Sequence, residues 1–511
     1  MTFQSILFEQ QPDHTQIGSA IMPPYFPDLN LDQVIDAIVF GRREYNLRPF
    51  FYSPLKDVET VRYRQEVARD LENNSVFESI KTFAEKMIMM RRYLGLVEKL
   101  EFHYHREGWF LEAALVYCEA VSDLAEDLSR APIKSRGFIA FREYLNNYVH
   151  SPYYHTLRTE TEQRKAALST IRYTLIIKDR KIIVRRYQSE INYSREVERT
   201  FEKFKQGAVK DYRSKLRKAS GMNHVEGQIL DYVARLHPEP FADLDQYCKM
   251  HQNFLDETIR VFDQEVQFYV AYLEFIQKIK LAGLKFCYPE VSAVSKEISE
   301  VDGFDIALAN KLTGENAAVI CNDIFLTGKE RIIIVSGPNQ GGKTTFARMF
   351  GQIHYLGSLG LPVPGRHARL FLFDNLFTHF EKEENIQNLR GKLQDDLVRM
   401  HKILKQATPA SIVIMNEVFT STTLKDAVYL SNKVMEKIIQ LDLLCVCVTF
   451  LDELASLNGK TVSMVSTIVP KNPALRTFKV IRRRADGLAY ALNIAEKYHL
   501  THDLLKERIK R

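Results

Sequence analysis

Between about Asp32 and Leu284 apolar residues recur at helical spacing in glycine-poor runs. After about Asp302 they gather into short β-branched runs, broken by glycine turns and separated by helical patterns. The first texture predicts a mostly α-helical region and the second an α/β region, with a boundary near residue 300. Ser75 and Glu78 form a capping-box pattern ahead of Phe77, Ile80, Met87, Leu94 and Val97, which predicts an amphipathic helix. Leu255, Ile259, Phe262, Val266, Tyr269, Ile276 and Ile279 make a near-heptad seam for a long helix packed along its length. One segment breaks the helical pattern. From Ile171 to Val184 the chain is β-branched on both sides of Lys178-Asp179-Arg180, which predicts a β-hairpin.

Composition narrows the class. The chain has 511 residues, 45% hydrophobic and 26% charged, which excludes a mostly disordered protein and predicts more than one packed unit. Lys+Arg 70 against Asp+Glu 64 leaves +6, which permits contact with a polyanion without requiring it. Six scattered cysteines form neither a disulfide framework nor a paired zinc pattern. Cys445 and Cys447 alternate in an apolar run and are expected on one buried face of a strand. No apolar segment has the length of a membrane span, and a soluble, cytoplasmic protein is expected. The hairpin carries Arg172, Lys178, Arg180, Lys181, Arg185 and Arg186, and a basic stretch from Lys203 to Lys218 follows. With Glu190, Glu196, Glu198 and Glu202 interspersed, this is either a phosphate-tracking patch or a solvated helix face. His103 and His105 flank Tyr104 and could ligate a metal, but no nearby Cys or carboxylate cluster completes the site, so an exposed turn is expected there.

The chemistry lies after residue 330. Arg331-Ile-Ile-Ile-Val-Ser336 reads as a buried strand, followed at once by Gly337-Pro338-Asn339-Gln340-Gly341-Gly342-Lys343-Thr344 and an apolar helix. This is a Walker A pattern in its strand–loop–helix setting, with ATP and Mg²⁺ as the expected ligands. Glycines let backbone N–H groups curl round a β-phosphate, Lys343 reaches the β/γ oxygens, and the Thr344 hydroxyl suits Mg²⁺. Ser411-Ile-Val-Ile-Met-Asn416-Glu417 ends a second buried strand where a Walker B group is expected, but with asparagine in place of the usual aspartate. Glu417 is the carboxylate left to polarise an attacking water, or else to cap a helix, and Asn416 supports Mg²⁺ only through its hydration.

With these residues in hand, the chain resembles the MutS family of DNA mismatch repair ATPases. Ser336 to Thr345 is similar to the family's GPNxGGKST loop, and the helix after it runs to Gly360-Leu-Pro-Val-Pro364, similar to the family's V-P ending. Asn416 to Asp426 resembles its DEIGRGTSTYDG segment, and Cys321-Asn322-Asp323 the segment before the loop strand. Pro49 to Gln65 is similar to the start of the family's lever domain. The resemblance implies an N-terminal extension over 1–29, and a helical core and lever over 30–300 with a β-containing clamp insertion at about 155–240. It implies a P-loop NTPase domain of the MutS/ABC type over 301–511, ending in a helical dimerisation tail. It further implies that Thr345 and Asn322 adjoin the nucleotide, and that the protein acts as a homodimer, or a heterodimer with another MutS-like chain, clamped on DNA.

Departures from the family pattern shape the expectation. No mismatch-reading wedge can be placed before residue 30, so branched or structured DNA is expected rather than simple mispairs. No serine occurs in Gly391 to Asp396 where the family has its signature pair, and Phe450 replaces a histidine after Thr449. With Asn416, these imply slow hydrolysis. Two alternatives stay open: a non-hydrolysing nucleotide-gated scaffold, and an RNA- or ribosome-directed ATPase.

Overall fold

The computed structural model describes residues 3–10, 21–179, 181–189, 222–381, 391–469 and 472–484. The chain divides into two compact units, one of residues 1–3, 74–133 and 139–263, the other of 4–73, 134–138 and 264–511. Residue 300 therefore lies inside the second unit, which also takes in the early helices Leu31–Val39 and Val58–Leu71.

In the first unit, α1 (Asn74–Val97) packs along α2 (His103–Arg130). The buried stripe of α1 is Val76, Ile80, Phe83, Met87 and Met90, at alternating spacings of about three and four residues as one helical face requires. Helix α1 opens at Asn74, so Ser75 is already helical instead of capping, and its carbonyl accepts from the Ser79 hydroxyl at 2.9 Å. After α3 (Pro152–Ser169) come β1 (Tyr173–Lys178) and β2 (Lys181–Arg186), paired antiparallel from Tyr173↔Arg186 to Lys178↔Lys181. The hairpin is where the sequence puts it. Helices α4 (His224–Leu236) and α5 (Pro238–Met250) follow, α4 opened by a capping box of Asn223 and Glu226. The expected seam is the helix Glu257–Leu281, whose residues from Gln264 on belong to the second unit; it buries Ile259, Phe262, Val266, Tyr269, Ile276 and Ile279, while Leu255 precedes its first turn.

The second unit holds a six-stranded sheet. Its elements are β3 (Ile332–Ser336), α6 (Lys343–Ser358), β4 (Leu376–Phe380), β5 (Ile412–Asn416), α7 (Leu424–Leu441), β6 (Leu444–Val448), β7 (Thr461–Val469) and β8 (Asn472–Arg482). The strand order is β4-β5-β6-β3-β7-β8, parallel except for the β7–β8 pair. Parallel strands are covered on both faces and so read as unbroken apolar runs, as β3 and β6 do. Cys445 and Cys447 pack on one sheet face with Ile332, Ile334, Val413, Met415, Met435 and Ile438. The loop after β3 thus opens at the carboxyl ends of neighbouring parallel strands, where α/β sheets bind ligands. A smaller four-stranded sheet is built from Glu290–Ser292, His367–Phe371, Ile298–Gly303 and Asn322–Leu326. Among the described residues, no helix is long and apolar enough to cross a membrane.

Candidate nucleotide site

β3 is fully buried, and its chain leaves the sheet through Gly337, whose φ of 112° lies where side chains are strained. A Cβ at Gly337 would stand 2.8 Å from the Ser466 carbonyl oxygen on β7, so this turn admits only glycine. Gly342, with φ 91°, sits as the N-cap of α6 and turns the chain into the helix that starts at Lys343. The Ser466 hydroxyl donates to the Gly341 carbonyl at 2.7 Å and ties the loop to β7.

Lys343 is almost fully buried, and its ammonium folds back over the loop. It donates to the carbonyls of Gly337 at 2.9 Å and Pro338 at 3.3 Å, and to Asn339 Oδ1 at 3.2 Å. The Phe450 ring lies across it, 4.7 Å from Nζ. Burial lowers the Lys343 pKa, while the nearby Glu417 carboxylate works in the opposite sense. Neutral oxygens and an aromatic face hold this ammonium without neutralising it, so its charge remains for an anion.

Thr344 donates its hydroxyl to Asn416 Oδ1 at 3.1 Å, which brings the first turn of α6 against the tip of β5. Glu417 follows with φ 54°, and Phe419 with φ 62°. The left-handed region costs a non-glycine residue about 1–2 kcal/mol, strain of the kind that gathers at functional sites. The Glu417 N–H donates to the Val448 carbonyl on β6 at 2.9 Å, fixing the tip. Burial raises the Glu417 carboxyl pKa, Lys343 lowers it, and Glu381 raises it. Glu417 caps no helix: the N-cap of α7 is Thr423, whose side chain accepts from the Asp426 N–H. Lys392 is paired with Glu381.

Asn322 braces β8. Its Nδ2 donates to the Phe478 carbonyl at 3.3 Å, and its Oδ1 accepts from the Val480 N–H at 2.7 Å. Gly337 to Thr345, Asn416 and Glu417 are therefore brought together, with Asn322 behind them on the β8 side. Three neighbours were not read from the sequence: Ser466 on β7, Arg476, whose Nε donates to the Asn339 carbonyl at 3.2 Å, and Phe478 beside Gly342. They arrive on β7 and β8, more than a hundred residues after the loop. Only the β-branched run Thr461–Val469 hints at them.

The hairpin residues divide between two faces, because side chains alternate along a strand. Lys178, Lys181 and Arg185 share one face with Thr174, Ile176 and Ile183, while Arg186 lies on the other with Tyr173, Leu175 and Ile177. The Arg186 guanidinium donates twice to the Leu236 carbonyl at the end of α4, at 3.0 and 2.6 Å. Arg172 precedes β1, and Arg180 and the stretch Lys203–Lys218 lie outside the described residues. Among the described residues, Arg186 therefore does not share the face of Lys178, Lys181 and Arg185. His103 is exposed, as expected, but it opens α2 instead of lying in a turn.

A parallel sheet whose central strand runs through a glycine-rich loop into a buried helix defines the class, a mixed α/β domain built on a strand–loop–helix unit. Residues 333–509 match the family model for MutS domain V. Over 216 residues the chain is 27% identical to a DNA mismatch repair protein MutS of Orientia tsutsugamushi, a match covering 41% of this chain and 24% of that protein. A second DNA mismatch repair protein MutS, from a Thermotoga species, is 28% identical over 179 residues, 34% of this chain and 22% of that one. Endonuclease MutS2 of Gemmatimonas aurantiaca is 27% identical over 206 residues, 39% of this chain and 25% of its own. The matches span about a quarter of the length of these relatives.

Proposed function

We propose that this chain is an ATP-dependent DNA-binding protein: a dimeric clamp whose hold on branched or structured DNA is set by the nucleotide at Gly337–Thr345. One observation carries the reading. The buried Lys343 ammonium, the free end of α6 and the Thr344–Asn416 pair converge on one side of a glycine loop, an arrangement suited to a triphosphate. Mg²⁺ fits this donor set through the Thr344 hydroxyl and, by way of water, Asn416; when bound it neutralises phosphate charge. Glu417 would orient and deprotonate a water, and its raised pKa makes that work increase with pH. Lys343 would leave the Gly337 and Pro338 carbonyls for phosphate oxygens. In this reading residues 30–300 supply the lever, with the clamp insertion at about 155–240, and 301–511 the ATPase domain with its dimerising tail, a cytoplasmic assembly of two such chains.

A second reading, a non-hydrolysing gated scaffold, is favoured by Asn416: a neutral amide attracts Mg²⁺ less than the usual carboxylate. Binding of a fluorescent ATP analogue with Mg²⁺ tests the first step. Lys343→Ala is expected to weaken it by roughly thirtyfold or more, about 2 kcal/mol, as loss of a charged phosphate contact requires. Unchanged affinity would remove the site. Phosphate release then separates the two readings: slow, Lys343-dependent turnover that rises in Asn416→Asp supports the ATPase, whereas binding without turnover in either form supports the scaffold.

A further inference from the structure

The opening of α2 brings together groups that the nucleotide site does not use. His103 is its first residue, and Glu107 lies one turn later on the same face. Asp245, on α5, comes against both. His103 Nε2 stands 3.0 Å from Asp245 Oδ1 and 3.4 Å from Glu107 Oε1, and one ligand atom from each residue falls within 4.8 Å of the others. Zinc bound at about 2.0–2.1 Å in tetrahedral geometry holds its ligand atoms roughly 3.3 Å apart. The two imidazole–carboxylate spacings therefore approximate edges of a coordination shell.

Glu107 supplies an independent indication. It is only 8% exposed, and its Oε2 is buried with no hydrogen-bond partner. A buried carboxylate facing a second carboxylate needs either a proton or a cation between them. Asp245 is partly engaged already: its Oδ2 accepts from Lys249 Nζ at 2.8 Å, while Oδ1 faces the histidine.

We propose that His103, Glu107 and Asp245 form a site for a divalent transition-metal ion of the zinc type, pinning the start of α2 to α5. One imidazole with two carboxylates suits such an ion better than Mg²⁺, which prefers an all-oxygen shell. Water would complete the shell, as three protein ligands leave a position open.

The test uses the full chain stripped of metal, without nucleotide or Mg²⁺, titrated with Zn²⁺ against a chromophoric chelator. One equivalent is expected with an affinity of about 1 µM or tighter, weakened tenfold or more in His103→Ala, Glu107→Gln and Asp245→Asn, and unchanged in His150→Ala. Because a Glu107 variant can fail to fold, Co²⁺ on the unaltered protein gives a second readout: visible ligand-field absorption abolished by one equivalent of Zn²⁺. Weak binding at several sites that survives His103→Ala, or featureless Co²⁺ spectra, would overturn the assignment and leave a proton shared by two carboxyls.

Discussion

His354, on α6, is buried and holds Nδ1 2.9 Å from the Phe350 carbonyl, its ring tilted at 37° and centred 4.2 Å from that of Phe350. Burial lowers its pKa from the ordinary value of about 6.5 to about 4, and burial does the same to His379 on β4. Both imidazoles are neutral in the fold and take a proton more readily when unfolded. Their contribution is therefore complete above about pH 6.5 and is lost as pH falls towards 4, up to about 3 kcal/mol for each. Urea unfolding between pH 7 and 4 checks this. The stability loss is expected to shrink in His354→Gln, and an unchanged slope would contradict it. At this scale the loop residues were legible, because a phosphate cradle demands glycines, a lysine and a threonine in fixed order. The Phe450 ring over Lys343 was not legible as a contact, since it depends on where β6 ends beside the loop.

The β1–β2 hairpin was legible as an element, from β-branched runs either side of Lys178-Asp179-Arg180, and Asp179 takes the positive φ of 47° that the turn needs. How its charges are shared out was not, because register decides it. Pairing puts Lys178, Lys181 and Arg185 on one face and leaves Arg186 to satisfy the last carbonyl of α4. If this face tracks DNA phosphates, reversing those three residues to Glu should weaken binding at moderate salt by tenfold or more. It should also cut the salt dependence by roughly two to three units of log–log slope. Arg186→Glu should instead loosen the hairpin from α4 and lower thermal stability, with a smaller change in salt slope. Fluorescence anisotropy across a salt series separates the two, and equal effects from both variants would remove the distinction.

Across the whole chain, the α/β region was legible because buried parallel strands announce themselves as apolar runs. Membership of the second unit was not, because it is set by contacts far apart in sequence. Thr378 on β4 donates to Asp28 Oδ2 at 2.6 Å, Gln352 Nε2 on α6 donates to the Leu29 carbonyl at 2.8 Å, and Ser5 Oγ donates to Glu265 at 2.8 Å. Such polar ties leave no periodic trace, so the segment ahead of residue 30 reads as a mere extension in the sequence, while Ile6, Leu7, Phe26 and Leu29 are buried in the fold. The measurement that bears most directly on the central claim is the lifetime of the protein on branched DNA, followed by anisotropy after dilution, with Mg²⁺ and with or without ATP. The account predicts dissociation rates differing by about fivefold or more, a coupling of roughly 1 kcal/mol, and no difference in Lys343→Ala. Equal rates with and without ATP in the unaltered protein would contradict it.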